Sequence, residues 1–364
     1  MRRWILFWGA ILLTAVLACA EKPETQQAET PTEQPIETIV VSLTTEPEAT
    51  PEATPEPTEA PTEEPTEAPT ETPTATPFAT RAPKDGDVTD HFPTEDTGKD
   101  ADYSYQSDEL RIAIKVDDNR ESKQVIYVAD IWIRNIASFR TAFGHSKFNS
   151  GTEEGEDLAR RENAIFAVNG SYNIGLTVHD GKKYKGQIKA AKWNNSGVCA
   201  LYKDGTMRAI DLMTQSFNAD AELKKGLLHA WQFGPALVHD GKIVERKYDN
   251  TRHPRNMIGY YEPGHYVIVT CDGRGDYAIG MTIEEMKAYM HGLGVKEAFN
   301  LDGGYSAVMV FMGTVINNPA FTDHNGTAVQ GRPLKDMVLF SEYDASGAIR
   351  ALSDLKADKF KKTN

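Results

Sequence analysis

Apolar positions along this chain fall into three regimes. Trp4 to Ala18 is nearly continuous hydrophobic sequence behind Arg2 and Arg3. Between about residues 20 and 100 apolar positions thin out, and from Leu110 onward they return with strand and helix periods. Alternation in Leu110–Val116 predicts a strand, and the fuller run Val125–Ile133 predicts a more buried one. Ser138–Phe143 reads as a short helix or turn, 144–156 as a polar loop, and Asp157–Asn163 as helix. A strand over Ala164–Val168 follows and stops at Asn169-Gly170.

Asp-Gly pairs punctuate the middle of the chain. His179-Asp180-Gly181, Lys203-Asp204-Gly205 and His239-Asp240-Gly241 each separate strand-like runs. Both residue types tolerate the positive φ of two-residue hairpins, so these aspartates are expected to be structural. Trp231–Val238 reads as one strand entered through Gly234-Pro235. Further on, Thr282 and Glu285 fit a capping box. Ile283, Met286, Met290 and Leu293 share one helical face, and Gly294 suits the position after the last turn. Strand 266–270 before this helix ends at Asp272-Gly273, and the strand after it ends at Asp302-Gly303-Gly304. That spacing suits parallel pairing of the two strands, which would bring Asp272 and Asp302 to one edge. Many strands with few helices predict an α+β fold of mixed, strand-rich sheets containing this capped strand–helix–strand unit.

Composition narrows the folded part. Of 364 residues, 80 lie between 21 and 100, and that stretch holds 14 of the 19 prolines. It also carries 20 acidic and 4 basic side chains, more than the whole chain's net charge of -14. The rest is close to neutral, so the acidity says nothing about substrate, and no basic block suggests nucleic acid. A stretch so poor in apolar residues cannot offset its ordering entropy, and its recurrent prolines favour extended polyproline II. The apolar start is too short for a membrane span and suits a signal peptide. Its end, Val16-Leu17-Ala18-Cys19, resembles the lipobox of bacterial lipoproteins, where the cysteine is lipidated. The expected organisation is a signal peptide over 1–19, a disordered tether over 20–100, a folded domain over 101–345 and a polar tail over 346–364. Such a chain would be lipid-anchored to the outer face of a bacterial membrane. Cys199 and Cys271 are left to pair or to remain thiols.

Candidate chemistry gathers at strand ends. Asn169-Gly170, Asp272-Gly273 and Asp302-Gly303 each close an apolar strand, and strand ends meeting at one edge are where such sites assemble. Two carboxylates facing one cleft suit glycoside chemistry. Arg255, Arg274 and Arg332 offer planar donors for phosphate or carboxylate. The nine histidines form no zinc pattern. No cofactor is expected, and an oxygen-ligated calcium at the Asp-Gly loops is left open.

Several blocks occur in one order: Phe166–Gly170, Gln232–Pro235, Arg255–Gly259, Asp272-Gly273-Arg274, Gly280-Met281-Thr282 and Asn300–Gly304. Together they resemble the phosphodiester glycosidase family over roughly residues 103–342. The chain departs from the family pattern at Ala278-Ile279 and at Tyr305. The resemblance implies hydrolysis of a sugar-1-phosphodiester in an envelope or extracellular glycopolymer, releasing sugar and a phosphomonoester. It implies Asp302 as nucleophile or general base and Asp272 as second carboxylate. Arg255 and Arg274 would grip phosphate and Asn169 would hold sugar hydroxyls. Thr282, Gly303, Gly304, Tyr305 and Ser306 complete the expected substrate-binding set. The competing expectation is a non-catalytic envelope lipoprotein that binds wall polymer or exopolysaccharide in the same cleft.

Overall fold

The computed structural model describes residues 84–361 apart from 187, 189–195, 249 and 323–327. The expected signal peptide, Cys19 and the tether up to residue 83 lie outside the described residues. Among the described residues, most strands belong to three sheets. The largest has the order β12 (Lys242–Ile243), β11 (Ala236–His239), β15 (Glu297–Asn300), β13 (Arg255–Glu262), β14 (His265–Cys271), β3 (Gln124–Ile133), β2 (Leu110–Asn119), β1 (Tyr103–Gln106), β21 (Lys359–Phe360). A second runs β7 (Lys182–Lys185), β6 (Thr177–His179), β10 (Leu227–Phe233), β8 (Gly197–Tyr202), β9 (Met207–Asp211). The third runs β17 (Thr314–Val315), β16 (Met309–Phe311), β5 (Phe166–Asn169), β20 (Asp336–Phe340), β4 (Phe139–Phe143). A small hairpin pairs β18 (Ala320–Thr322) with β19 (Ala328–Gln330). Among the described residues the α-helices are α1 (Gly155–Arg161), α2 (Ala219–Lys224) and α3 (Ile283–Gly292). The fold is α+β.

One apolar core joins the three sheets. Ile131 and Ile268 of the largest sheet, Cys199 and Trp231 of the second, and Phe166 and Phe340 of the third belong to a single buried cluster. The largest sheet is covered on its other face as well. Alternation puts Ile258 and Ile268 into the shared core, while Met257, Val267 and Val269 meet Met286 and Met290 of α3. Burial on both faces is why these strands read as unbroken apolar runs rather than alternating ones. Each fully buried large aliphatic or aromatic side chain contributes roughly 1.5–3 kcal/mol. The capping box of α3 is formed as expected: Glu285 N–H donates to Thr282 Oγ1 at 3.2 Å and Thr282 N–H donates to Glu285 Oε2 at 2.9 Å.

Several local expectations are corrected. Strands β14 and β15 run parallel but do not pair, because β13 lies between them and is antiparallel to both. The short turn at Pro263-Gly264 closes the β13–β14 hairpin locally, so that edge of β14 is taken. Phe139–Phe143 is strand β4 against β20, preceded by a single 3-10 turn over Ile136–Ser138. Trp231–Val238 is divided: the chain leaves β10 in one sheet at Gly234-Pro235 and continues as β11 in another.

Both ends of the expected domain extend further. The polar C-terminal stretch returns as β21 against β1, where Phe360 meets Tyr103 edge-on at 5.3 Å between ring centroids. On the N-terminal side, residues before 101 pack on the domain. Phe92 is buried with the Arg134 and Arg111 guanidiniums 4.4 and 5.3 Å from its ring. Asn135 donates to Asp85 O at 2.8 Å.

Candidate active site

The end of β15 is tied to the end of β5 by a buried polar network. Asp302 N–H donates to Gly170 O at 3.1 Å, and Asn169 Nδ2 donates to Asp302 O at 2.6 Å. Asn256 Nδ2 donates to Asn169 Oδ1 at 2.7 Å, and Thr270 Oγ1 donates to Asn256 Oδ1 at 3.1 Å. The links reach the ends of β5 and β15 and residues of β13 and β14, and a satisfied network of this kind fixes strand ends against one another. Asn169 is therefore occupied with backbone and does not line the cavity beside Asp302. The sequence-based assignment of Asn169 to sugar hydroxyls does not fit this geometry.

The double glycine permits a close approach. A Cβ on Gly303 would lie 2.7 Å from Pro254 O, closer than side chains come to backbone. Gly304 has φ of 61° and donates its N–H to Pro254 O at 2.8 Å. These contacts lay the 302–304 turn against 253–255 and place Asp302 beside the start of β13, where Arg255 stands.

Asp302 faces a cavity of about 400 Å³. Three guanidiniums line it, those of Arg255, Arg274 and Arg332, together with His253. Its apolar and aromatic wall is Tyr172, Ile174, Phe233 and Tyr305. Asp302 Oδ2 accepts from Arg332 Nη2 at 2.7 Å, and Oδ1 accepts from Gly303 N–H at 2.9 Å. Burial raises the Asp302 carboxyl above the ordinary range, while Ser306, Arg332 and Gly303 N–H pull it back part of the way. Arg332 is itself held: its Nε donates to Ser306 Oγ at 2.6 Å and its guanidinium lies 4.1 Å from the Tyr172 ring centroid.

The other two arginines are set differently. Arg255 is buried, with Nε donating to Met281 O at 3.1 Å and Nη2 to Thr251 O at 3.2 Å. Arg274 is exposed, has φ of 62°, stacks 4.5 Å from the Tyr305 centroid, and places Nη2 2.9 Å from His253 Nδ1. Phosphate can reach planar donors of both kinds, and the buried one keeps its orientation without further ordering.

Asp272 stands apart from this cavity. Its Oδ1 accepts from Asn317 Nδ2 at 2.9 Å, and Asn318 N–H lies 3.1 Å from Oδ2. Burial pushes its carboxyl up to about 7. With β13 between their strands, Asp272 and Asp302 sit two strand spacings apart, roughly 10 Å along the sheet. The expectation of two aspartates facing one cleft gives way to Asp302 in the cavity and Asp272 as anchor of the 317–318 segment. Thr282 is likewise spent on the α3 cap, and Ser306 acts on Arg332. Gly303, Gly304 and Tyr305 do line the cavity.

A carboxyl not foreseen from sequence lies close by. Asp336, at the start of β20, is fully buried and accepts from Ser171 N–H at 3.1 Å. Burial raises it to about 7, with the nearby charge of Asp302 adding to the rise. A Cβ on Gly170 would lie 2.3 Å from its Oδ2, so this glycine makes room for the carboxylate. Nothing in Lys335-Asp336-Met337 distinguishes it from an ordinary strand start. Tyr172, His253 and Phe233 were also missed, although each lies within or beside a family block. Arg332 was visible only as one arginine in a Gly-Arg-Pro loop.

A calcium at Asp302 would compete with the Arg332 guanidinium already on its Oδ2. Among the described residues, a His/carboxylate group with ligating atoms within 4.8 Å of one another occurs at His239, Asp240 and Glu297. None of these lines the cavity.

A family model described as phosphodiester glycosidase matches residues 159–341. The SPbeta prophage-derived uncharacterized protein YomE of Bacillus subtilis (strain 168) is 33% identical over 172 residues, 44% of this chain and 26% of that protein. The chain thus spans about a quarter of the length of this curated relative. Among solved structures, the zebrafish N-acetylglucosamine-1-phosphodiester alpha-N-acetylglucosaminidase catalytic domain, auto-inhibited by its pro-peptide, aligns with TM-score 0.54 at 17% identity. That alignment covers 66% of this chain and 86% of the zebrafish chain, and it shows a shared fold.

Proposed function

Because this chain belongs to the phosphodiester glycosidase family, whose model spans residues 159–341, we propose that its arginine-lined cavity hydrolyses a sugar-1-phosphodiester in an envelope or extracellular glycopolymer. The observation that carries the reading is Asp302, held by Arg332 in a cavity that Arg255 and Arg274 also line. Among the described residues that line it, three guanidiniums stand beside one carboxylate, a lining that suits an anionic group such as a phosphodiester. Arg255 and Arg274 take the phosphate, which sets the anomeric carbon beside Asp302.

In the reaction the anomeric C–O bond breaks and its electron pair leaves on the phosphate oxygen. Water supplies the hydroxyl that ends on the anomeric carbon, and its proton passes to Asp302 or solvent. Asp302 acts on that carbon as nucleophile or as base to the attacking water. Phosphate is a better leaving group than a sugar alkoxide, so the step depends less on a strong general acid than on charge stabilisation of the departing phosphate. That demand matches a cavity with several guanidiniums and one carboxylate.

The placement of this site at a cell surface rests on Val16-Leu17-Ala18-Cys19 and the proline-rich stretch that follows. Acylation of Cys19 would anchor the chain, and the stretch would carry the domain outward. Fatty-acid labelling that persists in Cys19→Ser would refute the anchor. The activity is tested by incubating the protein with sugar-phosphodiester polymers of the teichoic-acid type and detecting free sugar by mass spectrometry. Saturable polymer binding without released sugar would replace the hydrolase with a binding protein.

A further inference from the structure

Tyr305 and Arg332 line two cavities. On one side is the cavity of about 400 Å³ that contains Asp302. On the other is a second cavity of about 380 Å³, lined also by Glu154, Asp157, Val308 and Val315. Each lies within the ~300–1,000 Å³ range of ligand sites. The partition between them is fixed from several directions. Arg332 N–H donates to Tyr305 O at 3.0 Å, Gly331 N–H donates to Pro319 O at 3.2 Å, and Ser306 holds the Arg332 guanidinium. A substrate that reaches Asp302 past these two side chains therefore has a second, preformed concavity beside it.

The polar lining of the two cavities differs. Around Asp302 the charged groups are mainly guanidiniums, whereas the second cavity sets Glu154, Glu156 and Asp157 against the shared Arg332, which is already bonded to Asp302. Glu156 pairs with Arg160 at 2.8 Å. A second phosphate would be repelled there, while sugar or polyol hydroxyls can donate to the carboxylates and lay their carbon skeleton on Val308 and Val315. We propose that this second cavity is a binding subsite for the uncharged glycosyl or polyol unit adjoining the scissile phosphodiester, so that the site takes internal linkages of a polymer. The inference rests on the hydrolase reading given above and adds the repeat-unit character of the substrate.

The test uses the full chain and two substrates. One is a single-sugar alkyl 1-phosphodiester; the other is a defined oligomer with a glycosyl or polyol unit on each side of the phosphate. Glu154→Trp and Asp157→Trp fill the second cavity from exposed positions, and having two variants guards against misfolding of either. The subsite predicts a KM for the oligomer about tenfold below that for the short diester, with the difference lost in both variants. kcat and the short diester's KM stay at wild-type values. Equal KM values for the two substrates, or variants that leave the oligomer's KM unchanged, would overturn it. Equilibrium binding of the same compounds separates the two readings. Tight oligomer binding without turnover would sink the hydrolase and keep the subsite. Turnover of both compounds with equal affinity would do the reverse.

Discussion

Arg332 Nη2 lies 2.7 Å from Asp302 Oδ2, joining the end of β15 to a loop thirty residues downstream. Asp302 is buried, at 7% exposure, which raises its carboxyl, and Ser306 and this guanidinium pull it back part of the way. Arg332 is partly exposed, but removing it leaves the buried carboxylate without its cation. Arg332→Met should therefore raise an Asp302 carboxyl that burial has already raised, so that the ionised form appears only at higher pH. A pH–rate profile should show the acidic limb moved upward and kcat at neutral pH reduced by about 10–100-fold, the equivalent of ~1.4–2.8 kcal/mol. An unmoved acidic limb would mean that the pair does not set the charge of Asp302.

Arg274 is the exposed cation of the cavity, stacked on Tyr305. A hydrogen bond to a charged group contributes about 1.5–3 kcal/mol, so Arg274→Ala should raise KM about 10–100-fold. Tyr305→Ala removes the ring under the guanidinium and should shift KM in the same direction by less. Steady-state kinetics on a sugar-1-phosphodiester read both. Unchanged KM in Arg274→Ala would leave phosphate to Arg255 alone.

Asp272 gives a stability prediction with a defined sign. Its folded carboxyl is raised to about 7, above the unfolded value of about 3.9. The folded state therefore holds the proton more tightly, and this contribution to stability is complete below the unfolded value. It is lost as pH rises through about 7. Asp272→Asn keeps an acceptor for Asn317 and Asn318 but does not titrate. Thermal melts should show the variant losing less stability than wild type between pH 5 and 8. The gap should reach at least ~1 kcal/mol, or about 2–4 °C. Asp336 titrates in the same window and keeps part of the slope in the variant. Parallel pH dependence in the two proteins would contradict the assignment.

Much of this was legible because it depends on local chemistry. Thr282 and Glu285 announce their own capping box, and His179-Asp180-Gly181 announces a hairpin, with φ of 52° and 71° at its two turn residues. Asp302-Gly303-Gly304 marked the cavity because the reason for the double glycine, its approach to Pro254, is written into the residue type. What escaped was non-local. Nothing around Asp272 says that β13 will enter between β14 and β15 and take the aspartate away from the cavity. Asn169 looks like a strand-end ligand, and only its bonds to Asp302 and Asn256 show that it is spent. Arg332 and Asp336 acquire their meaning from partners far away in the chain.

Cys199 and Cys271 are fully buried free thiols in separate sheets. Burial raises both, Cys271 to about 12, so the reactive thiolate is scarce. A disulfide-exchange reagent should label neither in the folded protein and both after denaturation without reductant. Absence of label in the denatured protein would show that they are paired.

The most direct measurement is turnover of a sugar-1-phosphodiester by the full chain and by Asp302→Asn, with free sugar quantified by mass spectrometry. Wild type should release sugar, and the variant should lose about 10²–10⁴-fold in kcat, the range expected for a catalytic carboxylate in proton transfer. Full turnover by Asp302→Asn would contradict the assignment of this carboxylate to the anomeric carbon.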